Sequence, residues 1–129
     1  VGGVARAEQL RNTGVWNTSF ITLGSGAGSG SGASIGSVSG GANGYQVNFT
    51  TGTTPIANGI IFTATFPIPF STLTYTVKDG RGSPGGVNYQ AESVKFNLSS
   101  ETATGFVLTA NGTLTASTQY AMNFITFGY

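Results

Sequence analysis

The sequence predicts an all-β domain, an antiparallel β-sandwich of jelly-roll type with about eight short strands. Apolar residues recur with a period of two from Trp16 onward, as they do along half-buried strands. Clusters of Gly, Pro, Asn and Thr separate these runs at short intervals. The only stretch of good helix formers, residues 5–11, lies ahead of the first strand. With 129 residues, 39% hydrophobic and 12% aromatic, the chain has enough apolar surface for one ordinary core.

Residues 1–14 read as a linker or as a stalk junction. They hold Arg6, Glu8 and Arg11, and Asn12-Thr13-Gly14 supplies a helix stop. The head domain is expected over residues 15–129. Val1 in place of Met suggests a fragment or a processed product, and residues 1–10 lack the apolar segment of a secretion signal. Trp16, Phe20 and Leu23 mark a first strand over residues 16–23. The Gly/Ser/Ala-rich tract 24–44 has the composition of a flexible loop, within which Ile35 and Val38 pin a short strand.

Tyr45, Val47 and Phe49 alternate with polar neighbours. In the run 60–66, Ile60, Phe62, Ala64 and Phe66 share one face, and Pro67 and Pro69 end it. Leu73, Tyr75 and Val77 form another half-buried strand, followed by a turn-rich loop over residues 79–86. Short strands follow at 87–90 and around Val94, Phe96 and Leu98. In the next, 105–110, Phe106 and Leu108 point inward, and Asn111-Gly112 has the chemistry of a tight hairpin turn. The last strand, 118–129, is long. Tyr120, Met122 and Phe124 take one face, and Ala121, Ile125, Phe127 and Tyr129 the other. Apolar character on both faces means the second is covered, either by a neighbouring subunit or by the chain's own loops.

Composition bears directly on function. Nine charged side chains, no His and no Cys leave almost none of the usual acids, bases and nucleophiles. Ser-His-Asp and Cys-His constellations are impossible, and the carboxylates Asp79, Glu92 and Glu101 are spread one per loop or loop edge. We therefore expect a protein that is not an enzyme. No cofactor and no metal site are expected either, since the Asp79-Gly80-Arg81-Gly82 start of a calcium loop lacks further acidic positions. A net charge of +1 argues against nucleic acid, and no apolar run suits membrane insertion. The sequons at Asn17, Asn48, Asn97 and Asn111 carry no information in a chain so rich in Ser and Thr.

One polar, charged and aromatic cluster stands out. Asp79 and Arg81, with Asn88 and Tyr89 beyond them, combine a ring for a sugar face with partners for its hydroxyls, and so form the candidate ligand site. The competing reading is a solvated turn. Ile125, Phe127 and Tyr129 are the candidate subunit interface.

Three stretches carry a resemblance: Leu23-Gly24-Ser25-Gly26-Ala27-Gly28; Thr50-Thr51-Gly52-Thr53-Thr54-Pro55 leading into 60–66; and Thr104-Gly105-Phe106-Val107-Leu108 followed by residues 114–120 and a closing strand. Over about its last hundred residues the chain resembles the β-sandwich head domains at the tips of bacteriophage tail fibres and other virion appendages. The resemblance implies a homotrimer on the virion surface, used in host attachment through a surface glycan or receptor and joined to other virion proteins. The loop 79–86 departs from that pattern. A purely structural virion module (capsid decoration, collar or fibre shaft) and a trimeric jelly roll of a bacterial surface or spore coat are the alternatives.

Overall fold

The structure, a computed structural model, describes residues 13–72, 75–82 and 95–128. Among these residues, eight strands form two four-stranded antiparallel sheets: β1 (Ile21–Leu23), β2 (Ser34–Gly40), β3 (Gly44–Thr50), β4 (Ile60–Thr65), β5 (Tyr75–Gly82), β6 (Phe96–Ser99), β7 (Gly105–Ala110) and β8 (Gln119–Phe127). The first sheet has the order β1-β4-β7-β6 and the second β2-β3-β8-β5. Only β2–β3 and β6–β7 are hairpins within a sheet. The other connections pass from one sheet to the other, so that the two sheets form a β-sandwich. No α-helix occurs among the described residues.

The strands form where alternation supplies an inner face. Tyr45, Val47 and Phe49 of β3 lie opposite Phe124, Met122 and Tyr120 of β8, and all six are buried. Phe62, Phe106 and Leu108 close the core from the first sheet. Aromatic rings dominate the contact between sheets. Trp16 stacks on Tyr45 with centroids 4.2 Å apart, Tyr45 stacks on Phe124 at 5.5 Å, and Phe62 meets Phe124 edge-on at 5.9 Å.

Four local expectations are corrected. The first strand shrinks to Ile21–Leu23 because the Asn17 carboxamide accepts the Ser19 N–H and turns Thr18–Phe20 into a 3₁₀ helix. Ile60 is exposed, not inward, since a bulge between Ile60 and Phe62 lets Ile61 enter the core in its place. The glycine-rich tract is ordered: 3₁₀ turns at Ser25–Ala27 and Ser29–Ser31 lead into β2. A Cβ on Gly26 would meet the Gly59 backbone at 2.5–2.8 Å, so glycine there permits backbone-to-backbone packing. Asn111-Gly112 is not a hairpin turn, because β7 pairs with β4 and β6 while β8 lies in the other sheet. The expected helix-forming stretch 5–11 and strand 87–90 lie outside the described residues.

Candidate functional site

The outer face of the second sheet combines half-buried amides, Gln46, Asn48 and Asn123, with the exposed side chains of Ile125 and Phe127. Antiparallel register stacks side chains of the same face in rows across the strands. One row joins Ser39 of β2, Gln46 of β3 and Asn123 of β8, and the β5 residue opposite Asn123 is Asp79. The neighbouring row joins Ser37, Asn48 and Ala121. On the other side of the amide row comes Gly44 beside Ile125, and beyond it Phe127.

This face bonds to itself only in part. Gln46 Nε2 donates to Asn123 Oδ1 at 3.1 Å, and Asn48 Nδ2 donates to Ser37 Oγ at 2.6 Å. Each carboxamide has one oxygen acceptor and two N–H donors. The first bond therefore leaves the Gln46 oxygen and the Asn123 amino group able to serve an outside ligand. Asn48 Oδ1 is buried without a hydrogen-bond partner.

The apolar end of the face is open. Ile125 is 51% exposed and Phe127 56%, whereas Ala121 on the same face is fully buried within the single chain. The chain's own residues thus cover one end of this face and leave the other accessible. Thr126, between the two apolar residues, points into the core, where its hydroxyl meets Tyr45 Oη at 2.7 Å and Thr76 Oγ1 at 3.0 Å. The Asn43 carboxamide donates to Thr126 O at 2.9 Å and holds the β2–β3 turn against this end. Val15 bridges Gly41 in the same turn, so the N-terminal approach and the apolar end adjoin.

Among the described residues, the Tyr45 phenol is strongly perturbed. Burial pushes its pKa far above the ordinary range; the nearby Thr126 and Thr76 hydroxyls act the other way, and negative Glu101 adds to the rise. Glu101 Oε1 accepts the Thr76 N–H at 2.7 Å and so ties the β6–β7 loop to β5. This network sits inside the sandwich and serves its closure.

Of the residues singled out from sequence, Asp79 and Arg81 belong to strand β5, not to a loop, because pairing with β8 continues to Gly82 across a register shift. Asn88, Tyr89 and Tyr129 lie outside the described residues. Ile125 and Phe127 occupy the outer face as expected. Sequence reasoning missed Gln46, Asn48 and Asn123, whose alternation with Tyr45, Val47 and Phe124 was the available signal.

A second feature lies on the first sheet, an open depression of about 190 Å³ edged by Thr63, Thr65, Ser100, Thr102 and Thr104. Its hydroxyls bond locally, as Thr102 and Thr104 do at 3.0 Å, and no titratable side chain lines it. Among the described residues no group of three His, Cys, Asp or Glu side chains gathers to hold a metal ion. No family model, curated protein or solved structure matches this chain.

Proposed function

We propose that the protein is the head domain of a virion appendage, a tail fibre or spike, that attaches to the host cell by binding a neutral surface glycan. The observation that carries this reading is the amide row Gln46–Asn123 beside exposed Ile125 and Phe127. Amides with spare donors and acceptors match the hydroxyls of a sugar, and an adjacent apolar surface matches its C–H face. Asp79, next in register to Asn123, brings the charged segment of β5 alongside that row. The resemblance to tail-fibre heads and the scarcity of charge point the same way.

The apolar end serves assembly in this reading. Ile125 and Phe127 meet other copies in a homotrimer, and the approach of the chain at Val15, near that end of the sheet, supports a stalk junction at the N-terminal side. A glycan array probed with protein of known oligomeric state tests the proposal. Binding that is lost in Gln46→Ala/Asn123→Ala, with folding and oligomeric state unchanged, is the expected result. A trimer that binds no glycan would overturn attachment and favour a structural virion module; a compact monomer would overturn the assembly role of Ile125 and Phe127.

A further inference from the structure

Three Asn-Gly dipeptides occur in the chain: Asn43-Gly44, Asn58-Gly59 and Asn111-Gly112. In such a pair the glycine nitrogen, unobstructed by a Cβ, can attack the preceding carboxamide carbon. Each pair is held differently. Asn43 is tied twice to β8, its amide donating to Thr126 O and its carbonyl accepting the Thr126 N–H, both at 2.9 Å. Asn58 adopts a left-handed conformation with φ 58°. Its N–H donates to Gly112 O, and its Oδ1 accepts the Gly112 N–H, each at 2.9 Å.

This two-bond clamp acts on the nitrogen that would react at the third pair. Asn111 itself is exposed, with its N–H donating to Lys95 O at 2.7 Å. Gly112 N can attack the Asn111 side chain only when its proton is released to hydroxide and its lone pair is turned toward Cγ. A hydrogen bond to Asn58 Oδ1 holds that N–H in the opposite role.

We propose that Asn111 is a latent deamidation site and that Asn58 is the positioning residue that keeps it intact. In the step itself, Gly112 N gives up its proton and forms a bond to Asn111 Cγ. The C–N bond to the side-chain amino group then breaks, ammonia leaves carrying the proton, and a cyclic imide remains. Water opens the imide at either carbonyl to give Asp or isoAsp at position 111. No electron transfer is involved. The product carries one more negative charge, which takes the net charge from +1 to zero and makes it separable by ion exchange. The isoAsp form also inserts a methylene into the backbone and withdraws Gly112 from the clamp.

The test is peptide mapping by mass spectrometry after incubation at mildly alkaline pH, with amide loss followed at each Asn. Asn58→Gly removes the carboxamide and tolerates the left-handed backbone; Asn58→Asp restores an acceptor. Loss of one neutral hydrogen bond corresponds to an increase of about fivefold in the free Gly112 N–H. The expected result is Asn111 loss about fivefold faster in Asn58→Gly, near wild type in Asn58→Asp, and unchanged loss at Asn43. Folded wild type should lose the Asn111 amide more slowly than the same chain in urea. The proposal is overturned by an unchanged Asn111 rate in folded Asn58→Gly, by an equal acceleration at Asn43, or by equal rates in folded and urea-unfolded wild type.

Discussion

Thr126→Val gives the sharpest test of what closes this sandwich. Thr126 is fully buried, and its hydroxyl is shared between Tyr45 Oη at 2.7 Å and Thr76 Oγ1 at 3.0 Å. Valine replaces that hydroxyl by a methyl of similar size, so packing is nearly retained while both bonds go. Each neutral hydrogen bond contributes about 1 kcal/mol net, which puts the loss at about 2 kcal/mol. Tyr45→Phe removes only one bond and leaves the Thr126–Thr76 pair intact, so it should cost about 1 kcal/mol. The double variant should fall short of the sum, because the Tyr45–Thr126 bond is counted in both single variants; the expected coupling is about 1 kcal/mol. Trp16, the single tryptophan, stacks on Tyr45 and reports unfolding in urea by fluorescence. For a chain of this length the Thr126→Val loss corresponds to a fall in Tm of about 8 °C. A Thr126→Val variant within about 0.5 kcal/mol of wild type, or strict additivity in the cycle, would refute the reasoning.

Three further outcomes follow from particular residues. Burial raises the Tyr45 pKa, so the folded state keeps its proton while the unfolded chain releases it above about pH 10. That stability is complete below the unfolded pKa and declines as pH rises through it. Urea melts from pH 8 to 11 should show the decline, and Tyr45→Phe should flatten it. Gly105→Ala places a Cβ against Ala64 O of the paired strand β4, where overpacking costs about 3 kcal/mol, whereas Gly44→Ala meets nothing within 4 Å and should be neutral in urea melts. Ser100 and Ser117 hold left-handed conformations with φ 52° and 48°; glycine at either should raise stability by about 0.5 kcal/mol, read as a higher urea midpoint.

The inner faces were legible because alternation is local. Tyr45, Val47 and Phe49, then Phe106 and Leu108, then Tyr120, Met122 and Phe124 carry their own period. What was not legible depends on partners far along the chain. Gln46 and Asn123 are 77 positions apart and become neighbours only when β3 pairs with β8. Asn111-Gly112 has hairpin chemistry, but the tertiary pairing of β7 decides against it. The glycines at 24, 26 and 28 read as flexibility, yet two of them (24 and 26) leave no room for a Cβ against neighbouring backbone. Composition reports the missing side chain and not what fills its place.

The charged segment of β5 has an explanation that needs no ligand. A sandwich exposes four edge strands, each a template for pairing with another chain unless something blunts it. Here β1 and β6 are blunted by length, with three and four residues, and β2 carries an irregularity between Ile35 and Ser37. Strand β5, the fourth edge, is eight residues long with a register shift between Asp79 and Gly82, and its sequence holds Lys78, Asp79 and Arg81 out of nine charges in the chain. Charge on an edge opposes edge-to-edge association, so the cluster that looked like a ligand site also sits where negative selection against aggregation needs it. The two roles separate in one variant, Lys78→Thr/Asp79→Asn/Arg81→Thr. If the charges guard the edge, the variant keeps the glycan binding proposed above and gains concentration-dependent association in light scattering. If they recognise the ligand, it stays dispersed and loses binding, and the edge argument fails.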